Sequence, residues 1–230
     1  EGFKVISTTL NDEEYTGETI IEDGKYSLKI TVGLDREEVE VEGASVEDTA
    51  LYVVNFEIDK TAPVITVENV VDGGVYNSDV TPIVIPSEES TVEYKLNGEA
   101  YELTTISEEG QYILEVVATD KAGNVSTVTV TFEIDKTAPV ITIDGAVNGM
   151  KYDKEVKPVV SVDDENAEIT VTLNDQVYYG SAIKEDGKYT LKVVAVDVAG
   201  NSAEKTVCFQ IELPKKDNTN PTPTPTPGDN

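Results

Sequence analysis

The eleven residues FEIDKTAPVIT stand at Phe56–Thr66 and again, unchanged, at Phe132–Thr142. A phrase kept letter for letter at two places in one chain marks a repeat, and this one lies where one copy passes into the next. Working outward, three copies of a second motif appear: Leu10-Asn11-Asp12, Leu96-Asn97-Gly98 and Leu173-Asn174-Asp175. A tyrosine follows each of them at Tyr15, Tyr101 and Tyr178. The strings DGKY, EGQY and DGKY come next, ending at Tyr26, Tyr112 and Tyr189. The second and third copies also share a front half, GGVYNSDVTPIV against NGMKYDKEVKPVV, with Tyr76 and Pro82 matching Tyr152 and Pro158. The first copy lacks that half and carries extra residues in the acidic stretch between Gly33 and Tyr52. Because its alignment stays in register up to the break, the expectation is that the sequence opens inside a domain.

Hydrophobic period decides the fold class. In YILEVVATD, Tyr112, Leu114, Val116 and Ala118 face one way while Glu115 and Thr119 face the other. YTLKVVAVD repeats this at Tyr189, Leu191, Val193 and Ala195, and VTVTFEI alternates Val128, Val130, Phe132 and Ile134 with Thr and Glu. A period of two with one apolar face belongs to a strand of an antiparallel sheet covered on one side. Turn signals (GG, NG, DG, AGN) recur at short intervals, and no stretch has the 3.6-residue period of an amphipathic helix. The expectation is all-β, seven short strands to a repeat, packed as a sandwich. Pro82 and Pro158 cannot donate to a ladder and are placed where the first strand of the repeat does not pair.

The domain plan follows: residues 1–60 a partial or variant domain, 61–136 and 137–213 two complete ones, and 214–230 a linker. That linker, PKKDNTNPTPTPTPGDN, has no large apolar residue, and alternating Thr-Pro favours extended polyproline II. Pro63 and Pro139 restrict the joint, each fixing its own φ and limiting the residue before it.

Composition narrows function. Lys and Arg number 17 against 45 Asp and Glu, a net charge of −28 and a pI of about 4.1. Nucleic-acid phosphates need a basic footprint, so that partner is not expected, and the apolar runs are too short for membrane insertion. The chain has no His, no Trp and one Cys, Cys208. This leaves no Ser-His pair, no thiolate-metal site and no intrachain disulfide, so the chain is not expected to be an enzyme.

GQYILEVVATDKAGN and GKYTLKVVAVDVAGN resemble the penultimate strand and last hairpin of bacterial immunoglobulin-like domains, and DKTAPVIT resembles the joint that opens each unit in tandem arrays of them. The resemblance covers about residues 1–213. It implies tandem immunoglobulin-like β-sandwiches in an elongated array on a secreted or wall-attached bacterial protein. They would serve as a spacer whose partners are flanking modules of the same polypeptide. Two alternatives accompany it: an adhesive or glycan-binding module, meeting an extracellular glycan or wall component, and an accessory region of a larger polysaccharide-acting enzyme. The first copy departs from the pattern by replacing the AGN hairpin with its longer acidic stretch.

Within that frame the recurrent residues take structural roles. Tyr26, Tyr112 and Tyr189 begin a strand two residues after Gly, the setting of a tyrosine corner. Gly123 and Gly200 suit hairpins that need positive φ, with Asn124 and Asn201 tolerating a left-handed position. Sugar platforms usually present coplanar aromatics, and Phe3, Tyr52, Tyr94 and Tyr179 are the aromatics not shared between repeats. By the geometry of the fold, Asp59, Glu88, Glu89 and Asp120 converge near the first joint. Asp135, Asp163, Asp164, Glu165 and Asp197 converge near the second. Calcium is the one candidate cofactor, with Asp59, Asp120, Asp135 and Asp197 as candidate ligands.

Overall fold

The computed structural model describes residues 2–34 and 49–215. Most of the extra acidic stretch of the first copy and nearly all of the Thr-Pro linker lie outside the described residues. Within them every regular element is a strand: β1 (Phe3–Leu10), β2 (Glu13–Glu14), β3 (Gly24–Leu34) and β4 (Thr49–Ile58) in the first repeat. The second repeat has β5 (Ile65–Glu68), β6 (Gly74–Tyr76), β7 (Ile83–Pro86), β8 (Ser90–Leu96), β9 (Glu99–Ala100), β10 (Gly110–Asp120) and β11 (Val125–Ile134). The third has β12 (Ile141–Asp144), β13 (Lys151–Tyr152), β14 (Val159–Val162), β15 (Glu168–Leu173), β16 (Gln176–Val177), β17 (Gly187–Val196) and β18 (Ser202–Ile211).

The sheets repeat as the sequence does. A five-stranded sheet of order β6-β11-β10-β8-β9 and a two-stranded sheet β5-β7 recur as β13-β18-β17-β15-β16 and β12-β14. The first repeat holds one four-stranded sheet, β2-β1-β3-β4. Each large sheet is antiparallel except at one edge, where β6 runs parallel to the end of β11 and β13 parallel to the end of β18. Pro82 and Pro158 do not lie on the first strand; both are buried one residue ahead of β7 and β14, outside any ladder, where a missing N–H costs nothing.

By contact the described residues form two compact units, 2–34 and 49–70 with 82–104 and 113–130, and 71–81 with 105–112 and 131–215. Strands β10 and β11 contribute residues to both. The first unit buries Val70, Leu114, Val116, Ala118 and Val130. In the second unit, Leu191, Phe209, Ile211, Val207, Val156 and Ala146 form one cluster, and Ile141, Val193 and Ala195 another. Leu114, Val116, Ala118 and Val130, like Leu191, Val193, Ala195, Val207, Phe209 and Ile211, are alternate positions of their strands, so the period of two builds most of the core, and Val70, Ala146 and Val156 add to it from the connecting segments.

Two polar devices hold the register. The loops Asn11-Asp12, Asn97-Gly98 and Asn174-Asp175 have positive φ at both residues, the primed turn that fits strand twist. Each of those asparagines accepts, at Oδ1, the N–H of the residue after the corner tyrosine: Ser27 at 2.9 Å, Ile113 at 2.8 Å and Thr190 at 2.8 Å. The hydroxyls of Tyr26, Tyr112 and Tyr189 donate to the carbonyls of Glu22, Glu108 and Glu185 at 2.8–2.9 Å. Their rings stack on Phe56, Phe132 and Phe209 at 5.4–5.5 Å. One phenol thus joins a core ring to a loop carbonyl. Tyr112→Phe and Tyr189→Phe keep the ring and lose the hydrogen bond, and each is expected to cost about 0.5–1.5 kcal/mol in denaturant unfolding. Unchanged midpoints would mean that water replaces the bond without loss.

Candidate functional site

The joint is the place where chemistry-bearing side chains gather. Between β10 and β11 the loop Asp120–Asn124 closes on Gly123, whose φ is 94° and whose N–H donates to the Asp120 carbonyl. Asp197–Asn201 does the same on Gly200, at φ 89°. A residue with Cβ is strained there, which gives these glycines their role. Asn124 and Asn201 are not at positive φ, contrary to the expectation from sequence. Their work is done by the side chain.

Asp120 accepts from the Asn124 N–H at Oδ1 (2.9 Å) and from Asn124 Nδ2 at Oδ2 (2.8 Å), and the same Nδ2 donates to the Asp59 carbonyl at 3.1 Å. In the second joint Asn201 Nδ2 donates to Asp197 Oδ2 and to the Asp135 carbonyl, both at 2.8 Å. Asp120 and Asp197 are the two buried charged residues among those described, at 8% and 9% exposure, and each carboxylate is fully engaged. Removing a carboxylate from water opposes its ionisation. At Asp120 that desolvation is outweighed by bonds from the Asn124 side chain and from the N–H groups of Asn124, Gly123 and Ala122, so its pKa falls below the ordinary value.

In both copies of the joint phrase the Asp, Lys and Thr of DKT are all tied. Asp59 and Asp135 accept the N–H of Thr61 and Thr137 at Oδ1, both at 3.0 Å. Thr61 Oγ1 donates to Asp23, and Thr137 Oγ1 donates to Glu109. Lys60 donates to the Ile21 carbonyl, and Lys136 to Asp79 and the Ser107 carbonyl. Pro63 and Pro139 are buried immediately afterwards. The acidic residue ahead of the corner glycine reads in sequence as a turn former, yet Glu109 also takes the Lys136 N–H and Asp186 the Leu213 N–H. The recurrence of D/E-G-x-Y before each strand was the available signal.

Residues 37–136 match the family model of a bacterial Ig-like domain. That stretch resembles an immunoglobulin-like domain, and the all-β fold, with the sheets of the second repeat recurring in the third, is that of tandem immunoglobulin-like sandwiches. It is 25% identical to Bacillopeptidase F of Bacillus subtilis (strain 168) over 185 residues, a match covering 71% of this chain and 13% of that protein. Among solved structures it is similar to fibronectin(III)-like modules of Clostridium thermocellum CbhA, at 14% identity and TM-score 0.37, over 65% of this chain and 94% of that one. It is also similar to a three-domain immunoglobulin segment of titin, at 10% identity and TM-score 0.43, over 93% and 88%. The immunoglobulin-like fold is typically non-catalytic.

The acidic residues of these domains divide unevenly between the two joints. At the first, carboxylate oxygens of Asp59, Glu88 and Asp120 lie within 4.8 Å of one another. Desolvation, then the charges of Asp59 and Asp120, push the Glu88 pKa up. Glu89 is not among them; it pairs with Lys121 at 2.6 Å. At the second joint no third carboxylate joins Asp135 and Asp197 among the described residues. Asp163 Oδ1 accepts the Val140 N–H at 2.6 Å, where the first joint uses Ser87, and Asp164 closes its own turn on Asn166. Calcium takes six to eight oxygens. Asp120 accepts from Asn124 at both oxygens and Asp59 from Thr61 at one, so the three carboxylates would supply only part of such a shell.

The unshared aromatics are scattered. Phe3, Tyr52 and Tyr179 are 73%, 59% and 89% exposed, and the described ring pairs all join residues shared between repeats. Tyr76 and Tyr152 are structural too, each hydroxyl accepting the N–H of Val71 or Val147. Cys208 is an exposed thiol.

Two outcomes follow from the joint. Asn201→Ala leaves the Asp135 carbonyl and the Asp197 carboxylate short of a donor and is expected to cost about 1–3 kcal/mol in denaturant unfolding. Wild-type stability would show that water serves both acceptors. The pH dependence has opposite signs for the two acids. Asp120, depressed, contributes stability that is complete above its ordinary value of 3.8 and is lost as pH falls through the lower folded value. Glu88, raised, subtracts stability above its folded value, and that penalty fades as pH falls toward 4.5. Glu88→Gln is therefore expected to raise the melting temperature at neutral pH and to lose the advantage by about pH 4. An equal gain at both pH values would rule out charge crowding as its cause.

Proposed function

We propose that this chain is a non-catalytic spacer of an extracellular modular protein, in which the joints limit the freedom of adjoining domains and the partners are flanking modules of the same polypeptide. The observation that carries the proposal is the pair of Asp-Asn locks, made by the same atoms at both joints on the carbonyl that follows a domain's last strand. A joint needed only for connectivity has no use for a buried carboxylate. Bacterial immunoglobulin-like and fibronectin-III-like domains are commonly extracellular, and among the described residues no helix is long and apolar enough to cross a membrane.

The test is a distance measurement across the second joint. Spin labels at Ser78→Cys and Lys188→Cys, both exposed, in a Cys208→Ser background are expected to give a narrow distance distribution that Asn201→Ala broadens. An equally broad distribution in both proteins would sink the spacer reading. Retention of the unmodified chain on insoluble polysaccharide would favour the glycan-binding alternative instead.

A further inference from the structure

The last strands of the two complete repeats differ at one inward position. Along β18 the residues Ala203, Lys205, Val207, Phe209 and Ile211 share a face, and Val207, Phe209 and Ile211 are buried. Counting back from the matched pair Phe132 and Phe209, the residue of β11 at the place of Lys205 is Val128. A lysine in an apolar row needs a reason, because its ammonium must keep water or find acceptors. Lys205 is exposed, and its Nζ donates to the Ile141 carbonyl at 2.9 Å. Ile141 lies on β12, in the other sheet and 64 residues away.

The accepted carbonyl is one that the ladder leaves over. Among the described residues β12 pairs through its backbone with β14 alone, over four residues. The Asp163 N–H donates to the Val140 carbonyl, which makes Val140 and Asp163 a hydrogen-bonded pair. Such pairs alternate in an antiparallel ladder, so Thr142 and Asp144 turn their N–H and C=O groups to β14 while Ile141 and Ile143 turn theirs away. The Lys205 bond thus runs from one sheet to the outer edge of the other. Ile141 is 6% exposed and clusters with Val193, the residue that Lys205 pairs with on β17. Strand β5 is built the same way. The Ser87 N–H donates to the Val64 carbonyl, so Thr66 and Glu68 face β7 and Ile65 turns its carbonyl outward. The Val128 side chain has no donor to offer it, and Ile65 is half-buried where Ile141 is buried.

We propose that Lys205 is a strap that holds the first strand of the third repeat to the last, and that the second repeat, with Val128 in that place, has a first strand that opens on its own. A short strand paired along one edge is marginal by itself. A charge-assisted bond across the seam ties the opening of β12 to that of β18, which has a neighbour on each side. Without one, β5 leaves β7 while β10 and β11 stay folded. Both first strands follow directly on a joint. Opening of β5 therefore adds its residues to the first joint, whereas the strap keeps the second joint short. The strap acts within one repeat, so it stands whether or not the chain is a spacer.

The test is amide hydrogen exchange on the full chain, followed by NMR. Thr142 and Asp144 report on β12 and Thr66 and Glu68 on β5, each relative to core amides of its own repeat, Leu191 and Val193 or Leu114 and Val116. In the wild type, Thr66 and Glu68 are expected to exchange well ahead of their core, and Thr142 and Asp144 closer to theirs. Lys205→Met keeps the stem and removes the donor. It is expected to speed Thr142 and Asp144 at least about tenfold, with little change at Leu191 and Val193. Lys205→Arg keeps a donor and is expected to retain protection. Val128→Lys is expected to slow Thr66 and Glu68, a gain that misfolding cannot mimic. Unchanged exchange at Thr142 and Asp144 in Lys205→Met would overturn the proposal. So would acceleration spread evenly over the third repeat, which marks a loss of global stability. Equal relative protection of β5 and β12 in the wild type would overturn it without any variant.

Discussion

The structure depends on one side-chain amide at each joint. Asn124 and Asn201 each spend Nδ2 on two oxygens, the carboxylate of their own hairpin and the carbonyl of the residue that leaves the previous domain. Each bond alone is ordinary, worth about 0.5–1.5 kcal/mol net. What gives the arrangement weight is the buried carboxylate behind it. An ionised Asp taken out of water must be fully bonded, and the bonds that satisfy it fix the asparagine rotamer that reaches the joint. The hairpin, the last strand and the chain entering the domain are therefore not independently placed. Any change that frees the carboxylate also frees the joint carbonyl.

The fold was legible in the sequence because its causes are local and periodic. Leu114, Val116 and Ala118 alternate with partly exposed residues and are fully buried, as an alternating strand must place them. The Leu-Asn turns, too, are readable, since positive φ at two successive residues calls for Asn, Asp or Gly. The site was half legible. Asp120 and Asp59 were brought together by analogy of fold, but Asn124 was read through its backbone tolerance rather than its amide. No local pattern distinguishes an asparagine that tolerates a turn from one that reaches 65 residues back to a carbonyl. Non-local hydrogen bonds have no period, so only their recurrence at Asn201 could have shown them.

The two joints also show that an identical phrase does not make an identical electrostatic site. FEIDKTAPVIT fixes the lock, but the residues opposite it differ. Ser87 caps the start of one domain with a hydroxyl, which leaves Glu88 free to crowd Asp59 and Asp120. Asp163 caps the other with a carboxylate, and its charge is spent on the Val140 N–H. With a net charge of −28, the chain has little to spare for unbonded carboxylates in close quarters. Where they occur, the neighbours answer: Lys121 draws Glu89 away from the cluster instead of leaving a fourth negative charge within it.

The first repeat makes visible what the other two conceal. Its corner tyrosine, primed turn and joint are all in place, and Tyr26 still bonds Glu22 and stacks on Phe56. Yet Leu51, Tyr52, Val53 and Val54 are 48–60% exposed, because among the described residues no second sheet lies opposite this one to make a core of its face. The polar devices set register and connection, and they are complete here. They do not create the core, which needs the front half of the repeat to bring β5, β6 and β7. In the second and third repeats, strand-edge hydrogen bonds and the edge-on tyrosine are what that half adds to the last strand, on top of the register that the locks and turns already impose.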